Sequence, residues 1–143
     1  AGDAMVVMSG MLLDMPLIYS GQEAGLDKRL RFFEKDTVEW GDYSKADFYR
    51  SINSLHHEEK ALWNGDFGGA PVLLECKSPE KIFAFTKSKE NSQIVVALNL
   101  SGDSVPLTIN MPDGEFVAVM SKGIGSDGIV SPWGYLVLKK VNE

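Results

Sequence analysis

Gln22 and Glu23 are the first candidates for chemistry, because an amide and a carboxylate follow closely on the apolar run at residues 15–19. The run has no polar alternation, which is typical of a parallel strand buried on both faces, and Pro16 is tolerated at its start. Such a strand delivers the residues after it to one edge of a sheet. The pattern therefore predicts that Gln22 and Glu23 stand at the tip of a buried strand.

Two other polar groups have simpler interpretations. Residues 27–29, Asp-Lys-Arg, are interpreted as a salt-bridged cluster that orders a loop, because no glycine-rich turn accompanies them to bind phosphate. His56 and His57 are adjacent on a predicted helix, so their side chains point about 100° apart and do not readily share one metal ion. We expect a solvated helix flank there, with no metal site and no cofactor.

The first 66 residues are predicted to form two helices around that strand. Residues 4–13 form a helix that is apolar on nearly every side, which predicts cover all round, and Asp3 can cap it. After a polar loop, residues 44–63 form an amphipathic helix, with Ser44 and Asp47 spaced as a capping box. Its apolar face is made by four side chains at helical spacing: Phe48, Ile52, Leu55 and Leu62.

Beyond the Gly-Gly-Ala-Pro boundary at residues 68–71, the apolar period changes from that of a helix to that of a strand. Short strands at regular intervals predict an antiparallel β-sandwich of Greek-key type over residues 71–143. The glycine-rich residues 123–128 are predicted to be a hairpin loop. The predicted strands are 72–76, 82–87, 93–100, 105–109, 115–120 and 134–141.

Composition excludes several classes of partner. The chain has 143 residues, 44% of them hydrophobic, and a formal net charge of -6. That charge argues against a protein that binds duplex nucleic acid or an acidic membrane surface, since both require Lys and Arg in excess. Cys76 is the only cysteine, which excludes an internal disulfide and predicts a buried, unreactive thiol.

Several stretches together resemble the alpha-amylase family of glycoside hydrolases, close to its oligo-alpha-glucosidases. The strand reads MPLIYSGQE, the second helix ends in ALWNG, and the last strand reads SPWGYLVL. Their order and spacing span nearly the whole chain. The resemblance implies that residues 1–66 are a remnant of a (β/α)₈ barrel, its seventh helix, eighth strand and last helix. Residues 71–143 would be the family's carboxyl-terminal β-domain.

The resemblance also implies where chemistry occurs. Active sites of such barrels lie at the carboxyl ends of the strands, so Gln22 and Glu23 would be close to substrate in the parent enzyme. Retaining glycosidases use two carboxylates about 5–5.5 Å apart. In this family those groups come from earlier strands, which implies that they precede Ala1 and that the chain alone is inactive. Glu23 is therefore expected to support substrate binding rather than catalysis.

Two functions follow as expectations. In the first, the chain braces the catalytic barrel, its partner is that missing barrel, and alpha-glucan binds only in the full enzyme. The alternative is a free-standing carbohydrate-binding β-sandwich with exposed aromatic side chains. Trp63 and Trp133 are expected to seal the junction between helix and sandwich instead. Removal of barrel neighbours would expose apolar surface, so we expect the isolated chain to form a homodimer.

Overall fold

The computed structural model describes residues 1–142, which form two helices and one antiparallel sheet. The helices are α1 (Gly2–Leu12) and α2 (Ala46–Glu58), and short 3₁₀ turns follow at Gln22–Ala24, Lys60–Leu62 and Gly65–Phe67. The prediction of a mainly antiparallel β fold preceded by helices is confirmed. The strands are β1 (Val72–Leu73), β2 (Ile82–Lys89), β3 (Ser92–Asn99), β4 (Val105–Pro106), β5 (Phe116–Ile124) and β6 (Ile129–Lys140).

The strands pair in the order β1–β2–β3–β6–β4, with β5 also paired to β6. Strand β3 therefore lies between β2 and β6, and it does not pair with β4, the next strand in sequence. An isolated bridge between Cys76 and Ile109 joins the segments that follow β1 and β4, at the two ends of this order. The sheet consequently curls, and a small apolar cluster that includes Ala84 and Val105 fills the curl. Cys76 packs against that cluster and is half-buried.

The main hydrophobic core lies between the helices and one face of the sheet. Val7 and Met11 of α1 are fully buried, as are Phe85 of β2, Val96 of β3 and Val137 of β6. Helix α2 adds the apolar residues Ile52 and Leu55 to the same cluster. The two segments predicted as separate domains therefore pack on one another, and the division between them stays a prediction.

Helix α1 differs from its prediction in two respects. It is not covered all round, since only one face contacts α2 and the sheet, and Met5 on the other side is 45% exposed. Asp3 does not cap it either, because the helix begins at Gly2 and Asp3 lies in its first turn. There the Asp3 carboxylate binds the ammonium groups of Lys45 and Lys122.

Helix α2 is shorter than predicted at both ends. It begins at Ala46 with Lys45 at the cap position, so the predicted Ser44 capping box does not form. It ends at Glu58, because Glu59 takes an extended backbone conformation before the next turn of 3₁₀ helix. The apolar face continues across this break, since Leu62 is fully buried.

The predicted strand at residues 15–19 is wrong for this chain, since the segment has no regular secondary structure. Leu17 is 83% exposed, although the sequence pattern predicted burial. Among residues 1–142, every strand pair is antiparallel and none involves this segment. A doubly buried parallel strand needs hydrogen-bonded neighbours on both edges, and without them the apolar side chains face solvent.

Asn99 is a fully buried polar residue at the end of β3. Its Nδ2 donates to the carbonyl oxygens of Asp103, Val130 and Ser131 at 2.7, 3.2 and 3.0 Å. Its Oδ1 accepts a 2.7 Å hydrogen bond from the Ser101 hydroxyl. One side chain therefore joins the end of β3, the following turn and the start of β6.

Candidate functional site

Gln22 and Glu23 lie in a tight turn directly after the exposed apolar segment. The 3₁₀ turn Gln22–Ala24 is flanked by Gly21 at φ 93° and Gly25 at φ 70°, in the left-handed region that favours glycine. A Cβ on Gly21 would also lie only 2.8 Å from a methyl carbon of Leu26. The backbone position of the amide and the carboxylate is thus fixed by the local geometry of this turn, not by the end of a strand.

The two side chains have different surroundings. The Gln22 Oε1 accepts a 2.7 Å hydrogen bond from the backbone N–H of Tyr19, which closes the turn. The Glu23 backbone carbonyl accepts one of 3.0 Å from Lys45 N–H, which attaches the turn to α2. The Glu23 Oε2 is buried and has no hydrogen-bond partner among residues 1–142. A buried carboxylate oxygen without a donor is costly, and functional sites are one place where such atoms occur.

Glu23 lines an open cavity of about 540 Å³ between the turn and α2, together with Arg50, Asn53 and His57. Arg50 is engaged in an ion pair with Asp47. The cavity thus offers a carboxylate, an amide and an imidazole to a polar ligand. Beneath it, burial raises the pKa of the Tyr49 phenol, and the charges of Asp3 and Glu23 raise it further.

The loop that follows is organised by Asp36, which the sequence analysis did not single out. Its carboxylate accepts hydrogen bonds from the N–H groups of Arg31 and Thr37, at 3.1 and 2.8 Å, and from Lys28 Nζ at 3.2 Å. These bonds, the one from Arg31 first, lower the pKa of Asp36. The predicted salt bridge of Lys28 therefore exists, but its partner is Asp36 rather than Asp27.

The histidines do not form a metal centre. His56 Nε2 contacts the carbonyl oxygen of Gly10, so this imidazole joins α2 to α1. Over residues 1–142, no group of three His, Cys, Asp or Glu side chains is arranged to hold a metal ion. Within the same range, no helix is long and apolar enough to cross a membrane.

The tryptophans differ from one another. Trp133 packs against the main core, as predicted for a residue that seals the junction. Trp63 is 37% exposed, so the same prediction is wrong for it. It lies beyond the end of α2, where the chain turns away from the core. Trp40 stacks on Tyr43 in the exposed loop, with ring centroids 6.0 Å apart.

Within the described residues 1–142, four ion pairs connect residues 1–66 to the sheet. None was predicted from the sequence, because their members are up to 119 positions apart. In three pairs the carboxylate belongs to the helical segment and the lysine to a strand. The pairs, with nitrogen–oxygen distances, are Asp3–Lys122 at 3.0 Å, Asp14–Lys87 at 3.4 Å, Glu59–Lys139 at 2.9 Å and the reversed pair Lys60–Glu90 at 2.7 Å.

Glu59 is the most buried of these carboxylates, with a side chain that is 10% exposed. Its Oε1 binds Lys139, and its Oε2 accepts a 2.7 Å hydrogen bond from the Ser92 hydroxyl. The Ser92 oxygen in turn accepts a hydrogen bond from the N–H of Ala61 at 3.2 Å. The hydrogen bond between Lys139 Nζ and the Glu59 carboxylate raises the pKa of Lys139. Glu59, the residue that follows α2, therefore attaches this helix to β3 and β6.

Comparison with known proteins places this fold. No protein-family model and no curated protein matches the chain. Among solved structures, 99% of the chain superposes on 36% of the maltogenic alpha-amylase AmyB from Thermotoga neapolitana, with a TM-score of 0.67 and 17% identity. The same share of the chain, 99%, superposes on 34% of Amy13B from Eubacterium rectale, with a TM-score of 0.61 and 15% identity.

A trehalose-6-phosphate hydrolase from Bacillus licheniformis matches 66% of the chain with a TM-score of 0.50 and 15% identity. The chain spans about a third of the length of the two structures that match it completely. Its fold is therefore that of part of an alpha-amylase-family glycoside hydrolase, which confirms at the level of the fold the resemblance seen in its sequence.

Proposed function

We propose that the chain is the carboxyl-terminal part of a retaining alpha-amylase-family glycoside hydrolase that acts on alpha-glucans. The observation that carries this proposal is the superposition of 99% of the chain on one third of an alpha-amylase. In this proposal the chain contributes no catalytic carboxylate pair. Its function is to complete and brace the catalytic barrel.

The exposed segment at residues 15–19 supports the barrel part of the proposal. Its four large apolar side chains, Met15, Leu17, Ile18 and Tyr19, are all exposed. Five residues in such a run have the composition of a strand buried on both faces. In a closed barrel, parallel neighbours would supply both its hydrogen bonds and its cover.

The bracing role is supported by the contacts between helices and sheet. Four ion pairs and one shared hydrophobic core join residues 1–66 to the strands. Because partly buried carboxylate–lysine contacts hold a fixed geometry better than exposed ones, the sheet would limit movement of the last barrel elements.

Gln22 and Glu23 are proposed to lie near substrate in the whole enzyme. The buried, unpaired Oε2 of Glu23 supports this, since it is positioned to accept a hydrogen bond from a group that approaches the turn. Gln22 is assigned the positioning of that turn, through its bond to the Tyr19 N–H.

The test compares two proteins with maltooligosaccharides as substrate. The chain alone should release no reducing sugar, and a polypeptide extended by the residues encoded before Ala1 should hydrolyse the substrate. In the extended enzyme, Glu59→Gln should shorten the half-life at elevated temperature and leave KM unchanged, which separates bracing from substrate binding. Hydrolysis by the chain alone would contradict the proposal.

The isolated chain is proposed to form a homodimer by pairing the exposed apolar surfaces of α1 and of the segment at residues 15–19. We expect a dimer by light scattering at micromolar concentration and a monomer for Leu17→Asp, because a charge at the centre of the interface opposes burial. Ser20→Asp places the same charge beside the segment and serves as the control. If the unmodified chain is a monomer at this concentration, the proposal is wrong.

A free-standing carbohydrate-binding sandwich receives less support. It requires aromatic side chains on an open face of the sheet. On β5, the exposed strand at one side, the large exposed side chains are Val117 and Val119, which offer no platform for a sugar ring.

A further inference from the structure

An open cleft of about 860 Å³ lies between the end of α1 and the loop at residues 63–68. We call it the tryptophan cleft, and its lining includes Asp14, Pro16, His57, Trp63, Asn64 and Phe67. It is distinct from the cavity beside Glu23, although His57 borders both. We propose that the tryptophan cleft binds a neutral pyranose oligosaccharide. This proposal needs no catalysis and concerns the chain by itself, in which Met15 and Pro16 of the exposed segment also border the cleft.

The loop that carries the two aromatic residues is held rigidly. A Cβ on Gly68 would lie 1.8 Å from the carbonyl oxygen of Trp63, so only glycine permits this close return of the backbone. The N–H of Gly69 donates a 3.1 Å hydrogen bond to the carbonyl of Ala61. Lys89 Nζ donates one of 2.7 Å to the carbonyl of Asp66. Trp63 and Phe67 are thus presented to solvent from a fixed backbone.

The Asp14 carboxylate is fixed in the same way. It accepts hydrogen bonds from the N–H of Gly65 at 3.1 Å and from Lys87 Nζ at 3.4 Å. Lys87 is completely buried, whereas the Asp14 side chain is 51% exposed. The Gly65 N–H first, and then Lys87, lower the pKa of Asp14, so it stays ionised at neutral pH. One lysine held in the protein interior therefore orients an acceptor toward the cleft.

These features match the chemistry of a sugar. The C–H faces of a pyranose ring pack on aromatic rings, and its hydroxyls donate to carboxylate, amide and imidazole groups. Phe67 is 75% exposed and Trp63 is accessible. Lys60 Nζ lies 5.7 Å from the centroid of the Trp63 ring, which helps to orient the indole. Asp14 and the net charge of -6 disfavour an anionic ligand.

The test is titration of the monomeric chain with maltotetraose by calorimetry and by NMR of the indole N–H groups. The monomer is obtained with Leu17→Asp, which lies outside the cleft, because these methods need concentrations at which the unmodified chain is expected to dimerise. Trp63→Ala and Phe67→Ala should each weaken binding about tenfold, the loss of one aromatic contact. Phe67 is mostly exposed, so this variant keeps its melting temperature and stays informative if Trp63→Ala does not fold. Asp14→Asn should also weaken binding. Trp40→Ala, outside the cleft, is the matched control and should bind as the parent does.

Three results would overturn the proposal. One is the absence of saturable binding by the monomeric Leu17→Asp chain. Another is equal affinity for Trp63→Ala, Phe67→Ala and Trp40→Ala. The third is a self-associated chain that no longer binds maltotetraose and in which the Trp63 indole N–H is protected. That result would mean that a second copy of the chain occupies the cleft. None of these results bears on hydrolysis by the extended enzyme, so the two proposals fail separately.

Discussion

Residues 15–19 and the middle of β3 are both short apolar runs, yet they have opposite environments. Ile94 through Leu98 of β3 are buried with at most 3% exposure, because β2 and β6 pair with the strand on either side. Leu17 in the other run is 83% exposed. An apolar run therefore expresses a preference of its side chains for burial, while backbone partners decide whether a strand forms.

Truncation of a core side chain should give the largest difference in stability between the core strands and residues 15–19. Phe85→Ala removes a fully buried ring from the main core and should lower the free energy of unfolding by about 3–5 kcal/mol. Leu17→Ala should change it by less than about 0.5 kcal/mol in the monomer, where this side chain is mostly exposed and makes few contacts. Urea denaturation of both variants measures the contrast. Comparable losses would mean that residues 15–19 are packed in solution.

The closure of the curled sheet should be the next most sensitive feature. Asn99→Asp replaces an amide donor with a carboxylate oxygen that faces three carbonyl oxygens. We expect a loss of about 2–4 kcal/mol in the free energy of unfolding, from a buried charge and lost hydrogen bonds. Ser104→Asp, at an exposed position after the same turn, is the control. A thermal melt of Asn99→Asp that matches the parent would refute this role.

The polar contacts between the helical segment and the sheet should contribute less to the free energy of unfolding than the hydrophobic cores do. Glu59→Gln weakens the hydrogen bonds to Lys139 and Ser92 and should cost about 1–3 kcal/mol. The exposed pair of Asp47 and Arg50 is the matched control, and Asp47→Asn should cost less than about 0.5 kcal/mol. Equal costs in urea denaturation would show that Glu59 does not brace the helix against the sheet.

The smallest expected effect is a dependence on pH. Burial alone would raise the pKa of Asp3, but hydrogen bonds from Lys122 and Lys45 outweigh it and the pKa is lowered. A carboxylate with a depressed folded-state pKa stabilises the fold above its unfolded value of about 3.9 and loses this contribution as pH falls further.

Asp3→Asn should therefore cost about 1 kcal/mol at neutral pH, and the difference from the parent should shrink as the pH approaches about 3. Denaturation curves over this range measure it. A difference that does not vary with pH would mean that the ion pairs of Asp3 do not contribute to stability.

The sequence predicted the elements whose partners lie close by in the chain or whose periodicity is strong. Helix α2 was found from the spacing of Phe48, Ile52 and Leu55, and the β2–β3 pair from its two apolar runs. Strand β6 was predicted five residues short. Its first half contains Pro132 and a left-handed Trp133 at φ 59°, and such residues usually indicate a turn.

At the candidate site, the sequence predicted Gln22 and Glu23 at the tip of a buried strand, whereas they lie in a 3₁₀ turn after an exposed segment. Their surroundings were not predicted either. The partners of Asp3, Asp14 and Glu59 belong to distant strands, so no local pattern indicates them. Lys87 is fully buried, and lysine is a residue that sequence rules assign to the surface. Long-range electrostatic contacts are thus the feature of this molecule that sequence patterns do not predict.

Strand β6 pairs with β3, β4 and β5, so most of the sheet meets on one segment that follows all of them in sequence. A ribosome synthesises that segment after every strand that it joins. Until residues 129–140 leave the exit tunnel, β3 and β5 have edges without their final partner, and such edges favour aggregation. The nascent protein consequently depends on residues 129–140 to leave an aggregation-prone state, and deletion of them should block folding altogether rather than weaken it.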